Sequence, residues 1–231
     1  MKVEKITKDG SGRSRWYDDA CGTAHALELV GERWSLLIVR ELMLGPRRFG
    51  DLRTSLPGIS ANVLTQRLES LETAGVLTRR KLPPPASVQV YELTPWGLEA
   101  EEAISALGRW AARSPDHDPT LPLSPVSLML SFRTMFNARK AGTASMAVGF
   151  RFGDEEFVVR VGDGVLTAAR GGGDEAEVRV EGTPPGVAAI IYGGAGPETV
   201  TITGDAAVFE RFAGFFELPP KAGCAGEPFR R

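Results

Sequence analysis

Apolar residues recur at helical spacing through most of the first half of the chain. The spacing predicts four helices in succession, which begin near residues 23, 34, 49 and 60. The fourth has Ser60 as a suitable N-cap, an apolar stripe made of Leu64, Leu68 and Leu71, and Gly75 at its end. Two strand-like runs follow, at 76–81 and 87–93, and Thr94-Pro95 opens a long helix. Helices followed by a two-stranded hairpin are typical of a winged helix-turn-helix, so we predict a mainly α-helical domain of this type.

The second half of the chain combines strand-like runs with helical segments. An apolar helical stripe comes first, and strand-like runs follow at residues 144–152, 155–161, 165–169, 176–181 and 199–203. Thr183-Pro184 caps a further helix, and a last helix after Gly204-Asp205 is expected to carry Val208 and the phenylalanines up to Phe216. This alternation predicts an α+β domain with a mostly antiparallel sheet.

A proline-rich segment separates the two halves. Residues 114–125 contain four prolines and few apolar residues, which is typical of a semi-extended linker. We therefore predict an N-terminal arm over 1–19, a winged helix-turn-helix domain over 20–113, a linker over 114–125 and a second domain over 126–231. The length of 231 residues suits two modest domains.

Charge is distributed unevenly along a chain whose formal net charge is −2. Residues 33–81 carry nine arginines and lysines against four acidic residues. A locally basic segment in a nearly neutral protein points to a polyanionic partner. The alternative interpretation, an ordinary solvated surface, is equally compatible with the charge pattern alone.

The predicted fourth helix is the most informative segment. With its leucine stripe buried, Asn62, Thr65, Gln66 and Glu69 face outward, and Val63 and Arg67 lie at the margins. Amide and hydroxyl side chains can read base edges in a major groove, and a helix N-terminus attracts phosphate. Taken alone, this helix is better interpreted as an ordinary polar surface helix. The order of cap, basic turn, helix and basic wing favours DNA binding, with further contacts expected from Ser60, Arg47, Arg48, Arg79, Arg80 and Lys81.

Residues 20–113 resemble the HxlR family of bacterial transcriptional regulators, a branch of the MarR-like winged helices. The resemblance rests on ordered motifs at 31–34 (Gly-Glu-Arg-Trp), 44–52, 56–60, 64–68, 75–77 and 91–94. It implies a homodimer that places one recognition helix in each major groove of an inverted-repeat operator in double-stranded DNA. It also implies a dimer interface on the terminal helix of this domain, at Leu98, Ile104, Leu107 and Trp110.

The second half resembles the sterol-carrier-protein-2-like fold. The resemblance rests on residues 157–164, 176–183 and 202–212, and it implies an apolar tunnel that holds a small fatty-acyl, sterol or polyketide-like molecule. Flexible methionines and aromatic rings suit the walls of such a pocket, for which the candidates are Met129, Phe132, Met135, Phe136, Phe209, Phe212, Phe215 and Phe216. For any one of these residues, the alternative of simple core packing is the stronger interpretation.

Cys21 and Cys224 are the two cysteines, too few for a disulfide framework. Members of the HxlR family often carry a cysteine near the position of Cys21 that senses oxidants or electrophiles, although Gly22 replaces the proline that usually follows. The neighbouring Asp18 and Asp19 would raise the pKa of the thiol, and we expect Cys21 to be buried and inert. The alternative function is a redox-sensing regulator that works through Cys21, with a structural second domain. Cys224, in a tail rich in glycine and proline, is expected to be exposed.

No pattern in the sequence predicts an enzyme. The two histidines, His25 and His117, lack metal-ligand or nucleophile spacing, and the glycine-rich runs lack the strand-turn-helix context of a nucleotide-binding loop. We therefore expect no catalytic residues, no cofactor and no metal. The polar start and the lack of a long apolar run predict a cytoplasmic protein that does not insert into membranes.

Overall fold

The computed structural model describes residues 17–223 together with two short strands, β1 (Thr7–Lys8) and β2 (Ser14–Arg15), which pair in antiparallel fashion. Cys224 lies outside the described residues. The chain divides into two compact units, residues 1–100 and residues 101–231.

The first unit has the predicted winged helix-turn-helix order. Its elements are α1 (Gly22–Val30), α2 (Ser35–Leu42), α3 (Phe49–Ser55), α4 (Ala61–Thr73), β3 (Leu77–Lys81), β4 (Gln89–Leu93) and the first part of α5 (Pro95–Ala111). Strands β3 and β4 form an antiparallel hairpin in which Leu77 pairs with Leu93. The apolar side chains of the helices and the hairpin form one buried core.

Helix α4 forms where its local sequence predicts. The Ser60 hydroxyl accepts a hydrogen bond from the Val63 backbone N–H at 3.3 Å, which satisfies one of the free donors at the helix start. Leu64, Leu68 and Leu71 are buried, as the stripe predicts. Gly75 then takes a φ of 75°, a left-handed conformation that favours glycine and lets the chain turn into β3.

The second unit packs helices against one five-stranded sheet. Its elements are the rest of α5, then α6 (Pro125–Met135), α7 (Ala138–Ala141), β5 (Met146–Phe152), β6 (Glu155–Gly162), β7 (Val165–Arg170), β8 (Val178–Glu181), α8 (Pro184–Gly193), β9 (Thr201–Gly204) and α9 (Ala206–Ala213). The strand order is β7-β6-β5-β8-β9. The sheet is mixed, because β5 and β8 pair in parallel while the other neighbours are antiparallel.

An aromatic cluster fills the interior of the second unit. The rings of Phe132 on α6 and Phe212 on α9 lie 5.5 Å apart and edge to face, and both contact Phe150 on β5. Such geometries are favourable for aromatic pairs. Helices α6 and α9 therefore share one face of the sheet.

The last helix is shorter than the sequence predicts. It ends at Ala213, so Phe215 lies in the turn that follows the helix, and Phe216 lies just beyond that turn. Phe216 forms an isolated β-bridge with Phe136, and Asn137 N–H donates to the Phe215 carbonyl at 2.9 Å. These backbone bonds draw the two phenylalanines into the core without a helix.

The division between the two units falls within α5, between Ala100 and Glu101, and not in the proline-rich segment. The Arg133 guanidinium donates to both carboxylate oxygens of Glu101 at 2.8 Å and to the Ala168 carbonyl at 2.6 Å. Lys221 donates to the carbonyls of Ala112 and Ser114 at the end of α5. Because α6, β7 and the C-terminal segment hold this half of α5, it belongs to the second unit. Residues 114–124 lie in turns and irregular chain.

Candidate nucleic-acid interface

Helix α4 presents a polar face to solvent. Asn62, Thr65, Gln66 and Glu69 are exposed, and Val63 is half-buried at the edge of this face. Their exposure follows from the burial of the leucine stripe. Because the leucines face the core along one side of α4, residues on the opposite side of the helix face solvent. The amides of Asn62 and Gln66 offer both donors and acceptors, the combination that reads base edges.

Two of the wing arginines form ion pairs. Arg80 on β3 donates through Nε to Glu92 on β4, and this hydrogen bond raises the pKa of Arg80. Arg79 Nη2 lies 3.8 Å from the Glu72 carboxylate at the end of α4. Both arginines and Lys81 remain largely exposed. Exposed pairs of this kind are weak, so a phosphate can replace the carboxylate.

Of the two arginines that precede α3, only Arg48 is exposed. Arg47 is 6% exposed, and its backbone pairs with Tyr91 of the wing through two hydrogen bonds of 2.9 and 2.8 Å. Its guanidinium donates to the Ser55 hydroxyl at 3.0 Å. The expectation that Arg47 clamps a phosphate does not fit this position, because its side chain lies inside the unit and bonds to α3.

Arg67 also differs from the expectation of a free DNA contact. Its Nη2 lies 2.9 Å from Oε2 of Glu32, in the segment that joins α1 to α2. Sequence reasoning missed this pair because 35 positions separate the two residues along the chain, and only the folded backbone brings them together.

Large apolar side chains on α5 are exposed. Trp110 is 72% exposed and Leu107 is 49% exposed, and Leu98 is also exposed, whereas Ile104 is half-buried. Trp96, which sequence reasoning did not single out, is exposed on the same helix. Large apolar side chains exposed on a helix are candidates for contact with a partner.

Cys21 is exposed, contrary to the expectation of a buried thiol. It is the residue before the first turn of α1, and its pKa is lowered, first by the Thr23 backbone N–H, then by the Thr23 hydroxyl and the Ala24 N–H. The expected rise caused by Asp18 and Asp19 is wrong. The side chain of Asp19 instead accepts a hydrogen bond from the Cys21 backbone N–H at 2.9 Å, while the free N–H groups of the helix start stabilise the thiolate.

The candidate ligand-pocket residues pack against one another. Seven of the eight are buried, and Phe136 is half-buried. Phe132, Phe209, Phe212, Phe215, Phe216 and Phe136 form a continuous series of ring contacts with centroids 4.8 to 6.4 Å apart. This is the geometry of a filled core.

A polar cavity of about 200 Å³ lies elsewhere in the second unit. Charged side chains from β5, β6 and β8 and hydroxyls from β9 line it, including Arg151, Glu156, Arg179, Glu181, Thr201 and Thr203. Because residues alternate between the two faces of a strand, Arg151 lies on the face opposite to Phe150 and Phe152. The guanidinium of Arg151 is paired with Glu156 and that of Arg179 with Asp174.

Within the described ranges, no helix is both long enough and apolar enough to cross a membrane. The same residues contain no group of histidine, cysteine and acidic side chains arranged to hold a metal ion.

Comparison with protein families gives a match to the HxlR-like helix-turn-helix model over residues 29–118. These residues include α2, α3, α4, the wing and α5.

Several known proteins share this region. The chain is 36% identical over 94 residues to the HTH-type transcriptional regulator YtfH of Escherichia coli, a match that covers 41% of the chain and 75% of YtfH. It is 35% identical over 86 residues to the HTH-type transcriptional regulator YodB of Bacillus subtilis, covering 37% of the chain and 77% of YodB. A regulator of Synechocystis, sll1512, is 39% identical over 87 residues, which span 38% of the chain and 64% of that protein.

Among solved structures, the reduced form of YodB from B. subtilis is 31% identical with a TM-score of 0.39, and the match covers 43% of the chain and all of YodB.

Proposed function

Because the chain belongs to the HxlR-like helix-turn-helix family of transcriptional regulators, we propose that it binds double-stranded DNA in a sequence-specific manner, as a homodimer on an inverted-repeat operator. The observation that carries this proposal is the exposed face of α4, where Asn62, Thr65 and Gln66 project beside a helix start capped by Ser60. Amides and hydroxyls on such a face can form paired hydrogen bonds with base edges in the major groove.

The wing supplies the contacts that hold the protein on the duplex. Arg79, Arg80 and Lys81 project from β3, and Arg48 precedes α3. Contacts to phosphate fix the register of a protein on DNA but carry no sequence information directly. We therefore assign base reading to α4 and phosphate binding to these four cations.

The homodimer is supported by the apolar residues of α5. Leu98, Leu107 and Trp110 are exposed in the single chain, although burying the apolar surface that each still exposes would stabilise the protein. A second copy of the chain that covers α5 would bury them. Two copies related by a twofold axis would present two α4 helices to the two halves of an inverted repeat.

Selection from a random-sequence duplex library tests the proposal. The purified full-length protein is incubated with the library, and bound duplexes are sequenced over several rounds. We expect enrichment of an inverted repeat whose half-sites are about 10 base pairs apart, or a multiple of that spacing. Recovery of duplexes with no shared sequence would overturn the proposal.

A second candidate function is redox or electrophile sensing through Cys21. The exposed thiol with its lowered pKa favours this candidate, since the thiolate is the reactive form. Under this candidate, oxidation of Cys21 changes DNA binding and the second unit is structural. We expect diamide to alter the binding of wild-type protein to an enriched duplex, reversibly with dithiothreitol, and to leave Cys21→Ser unaffected. Equal sensitivity of both proteins would exclude Cys21 as the sensor.

For the second unit, we retain the proposal of a sterol-carrier-protein-2-like domain. It is supported by the resemblance of residues 157–164, 176–183 and 202–212 and by the packing of α6 and α9 on one face of a five-stranded sheet. An apolar effector has less support, because the six candidate phenylalanines contact one another and both candidate methionines are buried. Mass spectrometry of organic extracts from the full-length protein tests whether the second unit binds an apolar molecule. A stoichiometric apolar molecule would support a sensor, and its absence would support a domain that only stabilises the protein.

A further inference from the structure

We propose that Glu32 and Arg67 form a positioning pair that fixes the rotation of α4, so that sequence discrimination depends on Glu32, a residue outside the DNA-reading face. This inference rests on the proposed function, because it concerns the same helix. It assigns Arg67 to an intramolecular ion pair and removes it from the set of DNA contacts.

The geometry of the pair supports this assignment. Arg67 Nη2 lies 2.9 Å from Glu32 Oε2, within charge-assisted hydrogen-bond distance. The Arg67 side chain is 20% exposed and that of Glu32 is 50% exposed. Within the described residues, the Nε of Arg67 is buried and forms no hydrogen bond. The carboxylate of Glu32 is therefore the main polar partner of a largely covered cation.

The location of Arg67 on α4 explains why the pair would control rotation. Arg67 lies between Gln66, which faces solvent, and Leu68, which is buried, so it marks one margin of the polar face. The leucine stripe holds α4 against the core but is nonpolar and adaptable. An ion pair at the margin, with its partner on another segment, resists turning of α4 about the helix axis. A turn of about 15° would move a side-chain tip roughly 6 Å from the axis by about 1.5 Å, enough to break a hydrogen bond to a base.

Glu32 is itself held in place by its turn. Gly31 donates to the Leu27 carbonyl at 2.8 Å, and Ser35 donates to the Glu32 carbonyl at 3.0 Å. A β-carbon at position 31 would lie 2.3 Å from the Leu27 oxygen, so this turn requires glycine there. Trp34 follows with a φ of 82°, a left-handed conformation rare for a large residue. This constrained turn presents Glu32 to α4 from a fixed position.

The alternative role for Arg67 predicts the opposite effect of removing Glu32. If Arg67 contacted a phosphate, Glu32 would compete with the DNA, and Glu32→Ala would tighten binding to every duplex. If the pair positions α4, Glu32→Ala weakens binding to the preferred sequence and leaves binding to other sequences nearly unchanged. The sign of the change distinguishes the two roles.

The experiment measures fluorescence anisotropy with a duplex enriched by the wild-type protein and with a scrambled duplex of equal composition. Wild type, Glu32→Ala, Arg67→Gln and the double variant are titrated at several salt concentrations. Glu210→Ala is the matched control, since it removes the same charge from an exposed position on α9, outside the proposed DNA and dimer contacts. Thermal denaturation of each variant verifies folding, and the charge swap Glu32→Arg/Arg67→Glu provides a second comparison if Arg67→Gln is unstable.

We expect Glu32→Ala and Arg67→Gln each to lower the ratio of affinities for the two duplexes about three- to fivefold, as the loss of one partly covered ion pair implies. The double variant should lose no more than either single variant, because both remove the same interaction. The slope of affinity against salt should stay at its wild-type value, and Glu210→Ala should keep the wild-type ratio.

Two results would overturn the inference: tighter binding of Glu32→Ala to both duplexes, or a salt slope for Arg67→Gln reduced by about 0.9, the value for one lost phosphate contact. A wild-type protein that does not distinguish the two duplexes would instead overturn the proposed function.

Discussion

Gly97 at the start of α5 lies directly against the carbonyl oxygen of Val76, which precedes β3. A β-carbon at position 97 would lie only 2.0 Å from that oxygen. Thr94 reinforces the same junction: its backbone N–H donates to the Val76 carbonyl at 3.0 Å, and its hydroxyl accepts from the Gly97 N–H at 3.0 Å. The wing and the start of α5 are thus joined backbone to backbone.

The substitution Gly97→Ala tests this junction. The added methyl group cannot fit without moving the Val76 backbone, so we expect the free energy of unfolding to fall by about 1 to 3 kcal/mol. Gly108→Ala is the matched control, because position 108 lies on the same helix with open space around it. It should stabilise the helix by about 0.5 to 1 kcal/mol. Urea denaturation at one protein concentration measures the free energy of unfolding of both variants. If Gly97→Ala changed it no differently from Gly108→Ala, the close contact between Gly97 and Val76 would be contradicted.

Arg80 of the wing is expected to bind phosphate. Exchange of its weak pair with Glu92 for a phosphate would release counterions from the DNA. We expect Arg80→Ala to weaken binding to enriched and scrambled duplexes alike and to reduce the salt slope by about 0.9. Arg151→Ala serves as control, since Arg151 is a similarly exposed, ion-paired arginine on the second unit. If Arg80→Ala kept the wild-type dependence of affinity on salt, Arg80 would not be a phosphate contact.

The exposed apolar residues of α5 are expected to form the dimer interface. We expect Leu107→Asp/Trp110→Asp to sediment as a monomer, since charges at these positions would be buried without partners in the dimer. Because both side chains are exposed in the single chain, the secondary structure should be preserved in circular dichroism. Leu121→Asp is a useful comparison, as Leu121 is also exposed but lies in the proline-rich segment. A double variant that remains dimeric would place the interface elsewhere.

The lowered pKa of Cys21 predicts reactivity at lower pH than for an ordinary cysteine, whose pKa is about 8.5. In a Cys224→Ser background, the rate of alkylation by iodoacetamide should rise with pH and reach half its maximum at a lower pH than for the thiol of a short unstructured cysteine peptide. The substitution Thr23→Val removes one of the stabilising hydrogen bonds, that of the hydroxyl, and should shift the midpoint upward. An unshifted midpoint in Thr23→Val would show that the Thr23 hydroxyl does not act on the thiolate.

Local features of the fold could be predicted from the sequence. The Ser60 cap, the leucine stripe of α4, the wing hairpin and the start of α5 after Thr94 each depend on residues within a few positions of one another. The strands β5, β6 and β7 were similarly predictable, because alternation and turn residues mark them. The outward face of α4 followed from the same local periodicity.

Features that depend on contacts distant in sequence could not be predicted. The burial of Arg47 results from its pairing with Tyr91, and the role of Arg67 results from Glu32. The second half of α5 belongs to the second unit because of Arg133, whose ion pair with Glu101 no local pattern indicates. For Cys21, the free N–H groups at the start of α1 and the Thr23 hydroxyl, rather than the nearby aspartates, determine the direction of the pKa shift, and this depends on where the helix begins.

The most direct test of sequence reading by α4 is the specificity of Gln66→Ala. Its affinity is measured for the enriched duplex, for each single-base variant of that duplex and for the scrambled duplex. We predict that discrimination disappears at one or two base pairs in each half-site, at a cost of about 1 to 3 kcal/mol, while discrimination elsewhere and the salt slope are preserved. Equal loss of affinity for the enriched and scrambled duplexes would contradict the assignment of α4 as the helix that reads DNA.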